Sequence, residues 1–401
     1  MSAESGLLKI RWAEERMPTL GSLSASISEL GVLRGVRVGV VLHIEAKTAV
    51  LALKLAAAGA EVHLAASNPL STQDDVVEAL RGKLASVHAR RGESSEEYAE
   101  ALRRVLAAEP DYLIDDGADA IALSHREGVR SVKGGCEETT TGVIRVRNLE
   151  RAGLLRYPVV AVNDANTKHL FDNRFGSGQS VVDGLMRATN MMLAGKRVVV
   201  VGYGWVGRGV AQRLRGMGAR VVVCEVDAVR AIEAYMDGFE VEPLLQAAAN
   251  CDVIITATGD VRVVREEHFR VMRDGTLLAN AGHFNVEVDV DHLEKHSSTK
   301  RVARSNVTEY VYAGRRLYVL GEGRLLNLVA ADGHPIEVMD MSFSAQLLAL
   351  RYLVENSSKL QPRLIRLPEE LDTLIAKVFL TTRGVRIDEL TEEQKHYLES
   401  Y

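Results

Sequence analysis

Gly195-Lys-Arg-Val-Val-Val-Val201 runs directly into Gly202-Tyr-Gly204-Trp-Val-Gly207. The valine run reads as a buried strand over 196–201, and the pattern beyond the glycines as a helix over 206–217. The first glycine permits a tight turn, and the second lets backbone approach a pyrophosphate. The third lets helix and strand pack closely, while the helix N-terminus attracts phosphate. A second strand over 220–225 ends on Glu225. A carboxylate there holds the ribose hydroxyls of NAD and repels the extra phosphate of NADP. These features in sequence predict an NAD site lined by Gly202, Gly204, Trp205, Val206, Gly207 and Glu225.

The same rhythm occurs earlier in the chain. Gly35-Val-Arg-Val-Gly-Val-Val41 and Ala58-Gly-Ala-Glu-Val-His63 echo Gly195–Val201 and Met217-Gly-Ala-Arg-Val-Val222. Strands are predicted over 36–42, 60–65, 112–114 and 159–162, with helices over 46–58 and 94–108. The second series continues with a helix over 228–237 and strands over 252–256, 276–279 and 316–319. The prediction is an α/β protein of two Rossmann-like lobes with parallel sheets, plus a short C-terminal arm. Helices are expected over 344–356, 369–379 and 390–401. The expected division is a substrate lobe over 1–175, an NAD lobe over 176–333, a return to the first lobe over 334–375 and an oligomerisation arm over 376–401.

Composition narrows the function classes. A net charge of −5 with both signs interspersed argues against nucleic acid. No apolar run reaches the length of a membrane span, and the N-terminus lacks a signal-peptide pattern. Three cysteines without a CxxC spacing fit a reducing compartment rather than a disulfide framework or zinc site. The expectation is a cytoplasmic protein without a metal cofactor.

Several polar clusters fall at predicted strand ends, where α/β proteins bind ligands, or in loops and glycine/proline turns. They are His43, Asp115-Asp-Gly117, Glu137-Glu-Thr-Thr-Thr-Gly142, Asn280-Ala-Gly282-His283 and Asp332-Gly-His334-Pro335. Lys168 and Asp172 stand four apart and share a helix face, as a surface ion pair would. Each has a bland reading as a cap, a turn or a solvated pair. Three histidines at strand ends or turns, taken with a lysine and three acids, point instead to acid–base chemistry.

In this order the segments resemble the S-adenosyl-L-homocysteine hydrolase family. The resemblance runs from about Ile10 to about Tyr397 and includes Leu42-His43, Ser71-Thr-Gln-Asp74, Phe171-Asp-Asn173, Gly321-Glu-Gly-Arg-Leu325, Asn327-Leu328 and Gly333-His-Pro335. It implies a homotetramer acting on a nucleosyl-homocysteine, with bound NAD+ oxidising the ribose 3′-hydroxyl. Homocysteine then leaves from C5′, water adds, and the sugar is reduced again. By resemblance Lys168, its pKa depressed, accepts the hydroxyl proton, with Asp172 and Asn173 orienting it and Glu138 bonding the ribose. Asp116 serves C4′, His283 and His43 serve sulfur and water, and His334 closes over the base. Thr139, Thr140, Thr141, Asn280, Gly282 and Asn327 fall to the cofactor.

The chain departs from the family pattern in three places. Where the family reads His-Met-Thr-x-Glu-Thr, this sequence has His43-Ile-Glu45-Ala-Lys47-Thr48. A lysine has no acceptor for adenine's 6-amino group but can donate to the 6-carbonyl of hypoxanthine. This raises S-inosyl-L-homocysteine as an alternative substrate, read by Glu45, Lys47 and Thr48. The tail ends at Glu399-Ser-Tyr401 without the family's cofactor-covering segment, which puts Lys395 and Tyr397 forward as substitutes. Ser177 and Arg230 stand where the family often has Cys and Asn. A 2-hydroxyacid dehydrogenase or a non-catalytic NAD-binding regulator would explain the glycine turn, but not the Lys168 and Glu137–Thr141 segments.

Overall fold

The computed structural model describes residues 2–400 and contains two sheets. The first has seven strands, in the spatial order Leu364–Arg366, Val159–Ala161, Gly134–Glu137, Tyr112–Asp115, Arg37–Leu42, Glu61–Ala66 and Ser86–His88. All its pairings are parallel. The second has eight, in the order Thr299–Arg304, Val307–Tyr312, Arg315–Leu320, Thr276–Asn280, Val253–Thr256, Arg197–Val201, Arg220–Cys224 and Glu240–Val241. It is not wholly parallel as expected, because Val307–Tyr312 runs antiparallel to both neighbours. A two-residue turn makes this possible. Ala313 and Gly314 both adopt positive φ, 49° and 76°, the geometry that joins antiparallel strands tightly.

Residues along the central strands alternate between two apolar layers. Val40 and Leu42 join one cluster, and Val41 joins another with Leu113. Val198 and Val200 face one layer of the second sheet while Val199 and Val201 face the other. Burial on both faces explains why these strands read as unbroken apolar runs.

In both sheets the chain begins in the middle, winds outward on one side, then crosses to the other. This reversal opens a crevice at the carboxyl ends of the two central strands. In the first sheet the crevice separates Arg37–Leu42 from Tyr112–Asp115, the strands that precede His43 and Asp116. In the second it separates Arg197–Val201 from Val253–Thr256, which precede Gly202 and Ala257.

After the second sheet the chain returns to the first, where Leu364–Arg366 pairs beside Val159–Ala161. The intervening helix spans Ile336–Asn356, eight residues earlier at its start than its expected 344. Met339, Met341 and Phe343 are buried along with Leu347 and Leu350, so apolar residues surround the helix and no stripe marks its beginning. Helices Ala3–Glu14 and Pro18–Leu30 lie outside the predicted elements. The C-terminal helix Glu392–Glu399 has no buried residue, and Tyr401, the end of the expected helix over 390–401, lies outside the described residues.

Asp340 ties the returning helix to the N-terminal segment. It is fully buried, accepts from the backbone N–H groups of Thr19 at 3.1 Å and Leu20 at 2.8 Å, and pairs with Arg383 at 3.0 Å. Replacing Asp340 with Ala removes a helix cap and leaves buried donors unpaired, which costs about 2 kcal/mol. The urea midpoint is expected to fall at constant slope. An unchanged midpoint would show that this carboxylate does not hold the termini together.

Candidate functional site

The two crevices open into one cleft of about 420 Å³, within the range of a small-molecule or cofactor site. Its first wall comes from the turns after the first sheet's strands. A short turn Val162–Asp164 and helix Asn166–His169 deliver Lys168, and a π-helical turn Asp172–Gly176 follows. Such turns often mark functional positions, because the extra residue redirects side chains. Here the turn folds Asp172 and Asn173 back over Lys168.

Lys168 Nζ donates to Asn173 Oδ1 at 2.8 Å, Asp172 Oδ1 at 3.3 Å and Asn163 Oδ1 at 3.4 Å, with Glu138 Oε1 at 3.8 Å. The ion pair expected on an exposed helix face is instead buried on both sides. Burial alone would depress the lysine's pKa. The charge of Asp172, with that of Glu138 where it is ionised, outweighs it, and the net shift is upward. The expectation of a depressed lysine is therefore corrected: in this cleft Lys168 is an ammonium.

Its partners diverge in the other direction. Burial would raise Asp172, but His334 and Lys168 hold it well below the usual carboxylate range. His334 Nδ1 lies 3.1 Å from Asp172 Oδ1 and its Nε2 3.0 Å from Ser177 Oγ, while Ser342 donates to Asp172 Oδ2 at 2.8 Å. Glu138 is pushed up to about 8, chiefly by burial. Gln346 donates to its Oε2, and Oε1 has no hydrogen-bond partner.

Asp116 sits at the meeting point of the two lobes. His43 Nε2 is 3.2 Å from Asp116 Oδ2, and His283 Nδ1 is 3.8 Å from Oδ1. Oδ1 itself is buried without a hydrogen-bond partner. Gly117 makes the approach possible: its φ is +95°, and a Cβ there would stand 2.7 Å from His283 Nε2. Glu137 has a supporting role, since its Oε1 accepts from Gly117 N, Thr139 N and Thr139 Oγ1. Thr139 caps helix Thr140–Arg151, and Thr139, Thr140 and Thr141 all line the cleft.

The second wall fits a dinucleotide. Gly202 has φ +96°, and a Cβ on Gly207 would stand 1.8 Å from the Gly202 carbonyl oxygen. Beside Gly204 a Cβ would meet only Arg230 Nη1 at 3.8 Å, which leaves open space for phosphate. Trp205, Val206 and Glu225 line this wall. Glu225 Oε2 accepts from Tyr203 N at 2.7 Å, fixing the carboxylate at the strand end. Asn327 donates to Ser180 Oγ at 3.2 Å and keeps a buried, unpaired Oδ1, as an acceptor for a carboxamide N–H would. Gly282 also lines the cleft. Asn280 does not. Its side chain is consumed by the carbonyls of Gly282, Phe284 and Gly323 and by Gly282 N, so it shapes the loop that carries His283.

At the other end, Glu45 caps helix Ala46–Ala57 by accepting from Lys47 N and Thr48 N. Lys47 Nζ lies 2.9 Å from Glu45 Oε2 and donates to the Asp332 carbonyl at 3.0 Å. The pair is thus a helix-start pair that also lines the cleft, as does Thr48, and it straps down the loop before His334. Lys395 pairs with Glu392 on the exposed C-terminal helix, and neither Lys395 nor Tyr397 lines the cleft.

Sequence reasoning missed Ser342 and Gln346. A signal was present: Asp340, Ser342, Ser344 and Gln346 are polar residues at alternate positions among apolar neighbours, and all four are fully buried. Buried polar groups need partners, and two of these face the site.

Fold and site define a two-lobed, NAD-binding α/β enzyme. Family models narrow this. The S-adenosyl-L-homocysteine hydrolase model matches residues 1–131, and the model of that family's NAD binding domain matches 173–333. An adenosylhomocysteinase of Archaeoglobus fulgidus is 57% identical over 399 residues, covering 99% of this chain and 98% of the relative. The S-inosyl-L-homocysteine hydrolase of Methanocaldococcus jannaschii is 52% identical, covering 99% and 97%. Among solved structures, a dipicolinate synthase chain from Bacillus halodurans matches 80% of this chain and 99% of its own at 15% identity, with a TM-score of 0.51, a likeness of fold alone. The chain belongs to the S-adenosyl-L-homocysteine hydrolase family, and its cofactor is NAD. Among the described residues no helix is long and apolar enough to cross a membrane.

Proposed function

We propose that this enzyme hydrolyses S-adenosyl-L-homocysteine to adenosine and homocysteine, reversibly, within the cleft between its lobes. The observation that carries the reading is the buried Lys168 cluster set against the partnerless Asp116 Oδ1, across from an NAD wall. Residues 1–175 with 334–375 form the substrate lobe, 176–333 the cofactor lobe, and 376–401 an arm for assembly into a homotetramer in the cytoplasm.

Bound NAD supplies reversible two-electron oxidation at the substrate's ribose C3′. Lys168, as an ammonium, donates to the 3′-oxygen and stabilises negative charge there. The hydroxyl's proton needs a different acceptor. Glu138, raised to about 8, becomes that acceptor when ionised, and Asn173 fixes the sugar edge. Asp172 holds Lys168 and His334 in place. Once C3′ is a ketone, the C4′ hydrogen is acidic, and Asp116 Oδ1 takes it. His283 and His43 flank Asp116, where one gives a proton to the departing sulfur and the other takes one from water. Thr139, Thr140, Thr141 and Asn327 orient the nicotinamide end, while Gly202, Gly204 and Gly207 admit the phosphates.

Below about pH 8 Glu138 is largely protonated and cannot accept, so kcat should rise with pH through that region. Glu138→Gln should abolish that limb and lower kcat by roughly 100-fold or more. A variant that keeps the wild-type profile and rate would assign the proton to another group.

A second reading concerns the base. Lys47 presents donors and no acceptor to the cleft, and this matches a 6-carbonyl better than a 6-amino group. With two of its three N–H groups directed to Glu45 and Asp332, the adenosyl reading has other groups meeting adenine. The ratio of kcat/KM for the two nucleosyl-homocysteines decides between them, and polar pockets can separate such pairs by roughly 10⁴-fold. The adenosyl compound is expected to be the better substrate. A ratio favouring the inosyl compound would transfer the assignment.

A further inference from the structure

The carboxylate of Glu287 is 1% exposed and lies behind the cofactor wall rather than in the cleft. It closes the loop over 281–288, which leaves strand Thr276–Asn280 and carries His283. That loop runs beside its neighbour. Arg262 N donates to the Val286 carbonyl at 2.7 Å and Val264 N to the Glu287 carbonyl at 3.0 Å, and Val264 pairs with Val288. With its backbone fixed in this way, Glu287 turns its side chain under Thr258 and Gly259. Oε2 accepts from Thr258 N at 3.0 Å and Thr258 Oγ1 at 2.6 Å, and Oε1 accepts from Gly259 N at 2.8 Å. Gly282 gives Oε1 its room, since a Cβ there would stand 1.6 Å from it.

The residues in front of this carboxylate belong to the cofactor wall. Thr258, Gly259 and Gly282 all line the cleft. A Cβ on Gly202 would meet the Ala257 carbonyl oxygen at 2.8 Å and Thr258 Cγ2 at 3.2 Å, so this stretch begins beside the phosphate-admitting turn. A Cβ on Gly259 would stand 3.9 Å from Thr141 Oγ1, so it ends at the threonines of the nicotinamide end. Each oxygen of Glu287 receives a backbone N–H, the arrangement that stabilises a carboxylate anion. Burial pushes its carboxyl up, and the groups that most oppose this are the donors of Thr258 and Gly259, not a cation. A buried charge held by neutral dipoles keeps its field, whereas Asp172 shares its own with Lys168.

We propose that Glu287 acts on the bound cofactor from behind the wall, its buried carboxylate favouring the oxidised nicotinamide over the reduced one. Oxidised nicotinamide carries a positive charge that is lost when it accepts a hydride, so a fixed negative charge attracts the first form and not the second. At an effective dielectric of about 20, a charge about 10 Å away shifts the ratio of the two forms by roughly tenfold. The Lys168 ammonium acts in the opposite sense, because it repels the cationic form. Glu287 offsets it and keeps hydride acceptance and return close in free energy, as a cofactor restored in each cycle requires. The inference rests on the nicotinamide end lying at Thr139, Thr140 and Thr141, as proposed above.

The test titrates cofactor-loaded enzyme, without substrate, against redox dyes of stepped potential while the fluorescence of reduced nicotinamide is followed. In Glu287→Gln, checked for melting temperature and retained cofactor, the midpoint should rise by about 30 mV, a tenfold shift for a two-electron couple. Glu287→Asp keeps the charge and should stay within about 15 mV of wild type, and this arm applies even where the Gln variant does not fold. An unchanged midpoint in Glu287→Gln, or a rise of about 30 mV in Glu287→Asp, would overturn the proposal. Thr141→Val tests the placement of the nicotinamide through the emission maximum of the bound reduced form. A shifted maximum there with an unchanged midpoint in Glu287→Gln would overturn the role of Glu287 alone. No change in either would overturn the placement as well. None of these readings uses turnover, so a failure of the hydrolase reading shows separately, as absent thiol release from wild-type enzyme.

Discussion

An ammonium buried at the seam of the molecule has to be answered by charge, and much of the site follows from that requirement. Lys168 is 3% exposed, and moving such a cation out of water costs several kcal/mol unless partners surround it. Asp172, Glu138, Asn163 and Asn173 supply them. Asp172 cannot serve Lys168 alone, because it also receives Ser342 from the returning helix and faces His334 from the loop that leads into it. One carboxylate thus joins the Lys168 segment, the inter-lobe loop and the long C-terminal helix. The lobes are held in register at the place where chemistry is proposed.

The fold makes this arrangement simple to reach. A doubly wound sheet has one crevice, at the reversal of its winding, and this chain contains two such sheets. Facing the crevices toward each other puts the phosphate-admitting turn at Gly202 and the acid–base groups at His43 and Asp116 on opposite walls of one cleft. His283 crosses from the second wall to the first and reaches Asp116, an approach that Gly117 permits by lacking a side chain.

The central strands were legible because burial on both faces writes them as valine and leucine runs, and the glycine turn because each glycine answers a steric need. Gly207 shows this directly, with no room for a Cβ against the Gly202 carbonyl. What escaped was set by tertiary context. The helix Ile336–Asn356 is buried on every side over 339–350, so that stretch carries no amphipathic period, and its polar residues read as noise until their partners are known. Asn280 looked like a ligand because it ends a Rossmann strand, yet its amide satisfies loop carbonyls. The sign of the Lys168 shift was inaccessible too. Sequence shows that a lysine is near acids, but the balance of burial against those charges depends on distances of a few ångströms.

On this account the chain uses its NAD as a catalyst that is restored in each cycle. The most direct test supplies purified enzyme with S-adenosyl-L-homocysteine, adds no NAD, and follows free thiol together with reduced cofactor over many turnovers. Thiol accumulating far beyond the enzyme concentration, with no net gain of NADH at the end, is the predicted result. NADH formed in proportion to substrate consumed, or thiol release that needs a steady supply of added NAD, would contradict it.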